Sequence, residues 1–184
     1  YLRNFRDRFP LPNSGVHVRV LVALPNDQDL GQHLLYALWK AFPDGGLNEG
    51  IEFLIKPHPM CPLTGRMLKF PATLLSGTFA DALSLSTVVL YSGTGTGMEA
   101  VVMGRIVFRY RSELLLNTDR GELIHDESVI ECGEHDLKDK LLFVVRTQLP
   151  SPSRQYTEKL LTQIFIPPDH TAWLHAVTQL CARR

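Results

Sequence analysis

The sequence predicts an α/β fold: a parallel sheet of about five or six strands with helices on both faces. Three observations predict it. Short β-branched apolar runs alternate with stretches of helical spacing. Those runs are apolar almost throughout, as strands covered on both faces are. Pro, Gly, Asn and Asp mark nearly every junction between them, which is the chemistry of turns and caps.

The elements follow in order. Residues 1–15 hold Pro10, Pro12 and Gly15 beside Arg3, Arg6 and Arg8, and read as a linker. Val16 to Leu24 is an apolar strand stopped by Pro25. Asn26, Asp27 and Asp29 then offer N-caps, and Leu30, Leu34, Leu35, Leu38 and Phe42 recur at helical spacing before Pro43. Ile51 to Ile55 is a second strand, running into Lys56-Pro57-His58-Pro59. Residues 60–71 read as loop plus a short helix. Ala72 to Leu75 is a weak third strand, and Phe79 to Leu85 a short helix. Thr87 to Tyr91 is a strand that enters Ser92-Gly93-Thr94-Gly95-Thr96-Gly97, with a helix from Met98 to Met103 and a strand from Ile106 to Tyr110. Val129 and Ile130 suggest a last strand, Leu137 to Arg146 a helix, and Tyr156 to Phe165 and His170 to Leu180 two more helical stretches. The expected organisation is a linker over 1–15, a sheet domain over 16–148 and C-terminal helices over 149–184.

Composition narrows the function classes. The 184 residues carry 19 Lys+Arg and 19 Asp+Glu, a net charge of zero, without the basic surplus of a dedicated nucleic-acid binder. An apolar share of 45% excludes whole-chain disorder. Cys61, Cys132 and Cys181 lie too far apart for a CxxC site, and reduced thiols are expected. No apolar run approaches the roughly 20 residues of a membrane span. A cytoplasmic location is expected. The histidines show no HxxxH or HExxH spacing, so no metal is expected.

In open parallel sheets, ligands bind beyond the carboxyl ends of the strands, so the loops there carry the chemistry. Ser92 to Gly97 has glycines for close approach to a phosphate, and Ser92, Thr94 and Thr96 as hydroxyl donors, at the start of a helix. It reads equally as a close-packed strand-to-helix turn. Glu99, in the first turn, either complements the helix dipole or accepts from a ribose diol. His58 stands between two prolines that fix the backbone on both sides. It suits a group aimed at a phosphate, or an acid or base near neutral pH; a histidine satisfied by its own turn is the other reading. Lys56 pairs with phosphate or is a solvated edge.

The run Ile55-Lys56-Pro57-His58-Pro59, followed by Tyr91-Ser92-Gly93-Thr94-Gly95-Thr96-Gly97-Met98-Glu99-Ala100 and Gly104-Arg105-Ile106-Val107, resembles the carboxy-terminal half of GT-B glycosyltransferases. Bacterial sialyltransferases, capsule Kdo transferases, teichoic acid glycerophosphate transferases and UDP-GlcNAc 2-epimerases are similar there, across residues 16–146. The resemblance implies a Rossmann-like, nucleotide-sugar-binding domain of a surface-polysaccharide enzyme with a CMP- or UDP-activated donor. It implies that His58 meets the donor near the leaving group. Ser92, Gly93, Thr94, Gly95 and Thr96 would cradle phosphate, and Glu99 would take the ribose. Ser76, Gly77 and Thr78 would lie near the nucleobase. The nucleotide sugar enters as substrate and no cofactor is implied.

GT-B enzymes have two such domains, and the Asp-Asp-Gly or Glu-Asp-Gly base motif of the amino-terminal one has no good match here. A chain opening on Tyr1 is therefore expected to be part of a longer protein, inactive alone. Its partner would be the missing domain or a subunit, and the resemblance allows peripheral association of the full enzyme with the inner membrane face. A non-catalytic α/β interaction module and an epimerase-like domain are the alternative readings.

Overall fold

The computed structural model describes residues 18–63, 68–93, 95–113, 129–147, 149, 151–152 and 155–159. Residues 1–15, Thr94, Cys181 and the helix expected from His170 to Leu180 lie outside them, as does most of Tyr156 to Phe165, although 155–159 are helical.

Strand β1, Val18–Ala23, is followed by helix α1, Gln28–Ala41. Asp27 starts this helix by accepting a hydrogen bond from the Leu30 amide at 3.0 Å. Leu30, Leu34, Leu35 and Leu38 form its buried stripe. Burying Leu34 and Leu38 contributes about 2 kcal/mol each. The helix closes at Phe42, before Pro43, which has no N–H to continue it. Strand β2 is Ile51–Lys56 and β3 is Thr73–Leu74; α2 is Phe79–Ser84, β4 Val88–Tyr91, α3 Thr96–Val102, β5 Ile106–Tyr110, β6 Val129–Cys132 and α4 Leu137–Thr147. The described part of 60–71 contains turns and bends but no helix; residues 64–67 lie outside the description.

All strand pairs are parallel, in the order β3-β2-β1-β4-β5-β6. Alternate side chains of β1 feed two cores. Val20 and Val22 join Leu34, Leu38, Phe53, Phe108, Leu137 and Leu141 under α1 and α4. Leu21 and Ala23 join Leu83, Val89, Ala100 and Val101 under α2 and α3. Helices therefore cover both faces, as the apolar strands require. Arg105, fully buried, donates its Nε to the Leu83 carbonyl at 3.1 Å and ties β5's entry to α2.

The order reverses direction between β1 and β4. The register sets Lys56, Ala23 and Tyr91 in one row, so the loops after β2, β1 and β4 leave the same edge. With strands about 4.8 Å apart, Lys56 and Tyr91 stand roughly 10 Å from each other across β1. No helix among the described residues is long and apolar enough to cross a membrane.

Candidate functional site

Lys56 ends β2, and the prolines turn the chain at once. The His58 carbonyl accepts from the Cys61 amide at 2.9 Å, and the His58 Nδ1 accepts from the Met60 amide at 3.2 Å. An imidazole nitrogen that accepts a backbone N–H is unprotonated, so neutral His58 carries its proton on Nε2. Nε2 has no hydrogen-bond partner among the described residues. The Cys61 thiol donates to the Asn26 carbonyl at 2.7 Å, which pins this loop to the one after β1.

Lys56, His58 and Ser76 line one pocket of about 320 Å³, with Pro57, Pro59, Leu63 and Leu74 among its walls. Among the described residues, the lining has a cation, an imidazole and a hydroxyl but no carboxylate. Lys56 has no carboxylate partner among the described residues. Three of the predicted site residues thus meet in a space suited to an anion. A second pocket, of about 290 Å³, lies across the same loop between Met60 to Leu63 and the first turns of α1.

The neighbouring turn differs from expectation. Gly77 takes a positive φ of 83°, and Thr78 becomes the N-cap of α2. Its hydroxyl accepts from the Asp81 amide at 3.2 Å and donates to Asp81 Oδ2 at 2.6 Å, while its amide donates to the same carboxylate. This is a complete capping box. The Thr78 hydroxyl and amide hold Asp81 below the usual carboxylate range. Thr78 is therefore engaged in the helix start, and Ser76, which is exposed, remains to face the pocket.

The glycine-rich loop also divides its roles. Ser92 is fully buried and donates its hydroxyl to the Tyr110 carbonyl at 2.9 Å. It faces the interior, not a ligand, because β4 still has β5 beside it at that point. Gly93 has φ of 59° and sits against Leu30 and Pro25. Gly97 is fixed by packing, since an added Cβ would lie 2.3 Å from the Tyr91 ring. Gly95 is the open position, with nothing within 4 Å of a Cβ. Thr96 opens α3, and no side chain caps that helix. Glu99 lies one turn on; its residue surface is exposed, yet desolvation of the carboxyl raises its pKa above the ordinary value.

The His58 turn and the Ser92 loop do not sit at neighbouring strand ends, because β1 lies between them. Gly93, against Pro25, connects them through the loop after β1. The residues missed by sequence reasoning join α1 to the end of β5: His33 Nδ1 is 3.2 Å from both the Tyr110 hydroxyl and the Ser112 hydroxyl. Partners 77 and 79 positions away leave no local signal.

No protein-family model and no curated protein matches the chain. Solved structures do. The wall teichoic acid polymerase TagF is similar with a TM-score of 0.51 and 16% identity, over 87% of this chain and 41% of that one. A putative UDP-N-acetylglucosamine 2-epimerase from Listeria monocytogenes is similar with a TM-score of 0.53 and 18% identity, over 80% of this chain and 40% of that one. The chain spans about two fifths of the length of each. It has the Rossmann-like α/β fold of these GT-B neighbours, with one six-stranded parallel sheet.

Proposed function

We propose that the chain is the donor-binding half of an enzyme acting on a nucleotide-activated sugar, in the manner of a surface-polysaccharide glycosyltransferase. The observation that carries this reading is the pocket that Lys56, His58 and Ser76 line, with no carboxylate among the described residues, at the carboxyl edge of a sheet with strand order 3-2-1-4-5-6. A neighbour named for a UDP-N-acetylglucosamine enzyme supports the ligand class.

The donor lies along the edge from the His58 turn past β1 to Gly95. A base on a second domain takes the proton of the acceptor hydroxyl. The acceptor oxygen bonds to the anomeric carbon as the bond from that carbon to the leaving phosphate oxygen breaks. Negative charge grows on the leaving phosphate, where the His58 Nε2–H donates and the Lys56 ammonium compensates. Gly95 admits close backbone approach, and Glu99 accepts from the ribose.

Calorimetry with CMP, CDP, UDP and GDP tests the reading. Binding of at least one at millimolar concentration or below is expected, and the absence of heat with all four sinks it.

A further inference from the structure

The glycine-rich loop has no stabilising side-chain cap of its own, so something else must hold its position. Two supports come from α1. Leu30 lies where a Cβ on Gly93 would be, 2.5 Å from its Cδ2. One turn later, His33 Nδ1 lies 3.2 Å from the Tyr110 hydroxyl and 3.2 Å from the Ser112 hydroxyl. Tyr110 is fully buried, and its main-chain carbonyl accepts the Ser92 hydroxyl at 2.9 Å. A continuous chain of contacts therefore runs from the α1 imidazole, through the last residue of β5, to the first residue of the loop. A buried tyrosine hydroxyl also requires a partner, and His33 is one that fixes it.

We propose that His33 is a positioning residue for the Ser92 to Gly97 loop, acting through Tyr110 and Ser112 rather than by touching a ligand. One nitrogen meeting two hydroxyls locks the end of β5 against α1, and Ser92 transmits that position to the loop. The imidazole serves through Nδ1. An asparagine places its amide oxygen close to the Nδ1 position and can accept the same hydroxyls, whereas a leucine fills the space and accepts nothing. The consequence for phosphate binding rests on the function proposed above; the consequence for the loop does not.

The test is amide hydrogen exchange on the ligand-free chain for the parent, H33L, H33N and Y110F. Faster exchange is expected at residues 92–97 and 110–112 in H33L and Y110F, near-parental exchange there in H33N, and no change in α2. Unchanged exchange in the loop of H33L and Y110F overturns the proposal, and so does an H33N variant as perturbed as H33L. If H33L does not fold, Y110F removes the same tyrosine contact and decides the matter with H33N. In a parallel arm, H33L is expected to bind CDP or UDP roughly 2- to 30-fold more weakly while binding cytidine or uridine like the parent. Equal loss of nucleoside and diphosphate overturns the positioning of a phosphate loop. A parent that binds no nucleotide instead removes the functional reading and leaves the exchange result to decide the role of His33.

Discussion

His58 does two jobs with two ring nitrogens. Nδ1 closes its own turn on the Met60 amide, and that bond leaves Nε2–H as the donor offered outward. H58N separates the jobs: the amide oxygen can still accept from Met60, while the Nε2 donor is lost. The expected result is a melting temperature like the parent's and nucleoside diphosphate binding about 10- to 100-fold weaker, the range for a hydrogen bond to a charged group. Glu99 makes the opposite kind of prediction. Its folded pKa is raised by desolvation, so ionisation costs stability once the pH passes the unfolded value of about 4.5. E99Q removes that cost: at pH 7 it is expected to unfold at the same or higher denaturant concentration, with the difference vanishing below about pH 4.5. The same variant is expected to bind nucleosides roughly fivefold or more weakly, since the amide is a poorer acceptor for a ribose diol. Chemical denaturation across pH and calorimetry check both halves.

Among the elements, the β4–α3 connection shows how far a motif can be read without a structure. The glycines at 93, 95 and 97 look alike in sequence and have three different causes: a positive φ, an open surface and a ring in contact. G97A is expected to destabilise by about 1–3 kcal/mol by overpacking against Tyr91, measured by urea unfolding, whereas G95A is expected to change stability little and to affect ligand approach instead. Strand and helix order was legible because burial on both faces demands apolar runs, and β1, β2, β4 and β5 have them. The side-chain directions were not. Ser92 turns inward because Tyr110 of the neighbouring strand offers a carbonyl. Thr78 turns to Asp81 because a helix begins there, in a capping box. The separation of the His58 and Ser92 loops by β1 depends on strand order, which no local pattern encodes.

At the scale of the whole molecule, one parallel sheet places the Lys56, Ala23 and Tyr91 ends in a row, and Lys56, His58, Ser76 and Gly95 stand at or beyond that row. The opposite edge holds structural polar groups, such as Ser86, whose hydroxyl donates to the Leu83 carbonyl at 3.3 Å, and the buried Arg105. The chain spans about two fifths of TagF and of the epimerase. A donor edge open on one side, as proposed above, is expected to bind with modest affinity. Under the proposed function, the nucleotide binds at this carboxyl edge and not at another surface. Amide chemical-shift mapping during titration with CDP or UDP tests it most directly. Shifts are expected to concentrate at residues 56–61, 76–77 and 92–99; shifts confined to the opposite edge around Ser86, Thr87 and Arg105 overturn this placement.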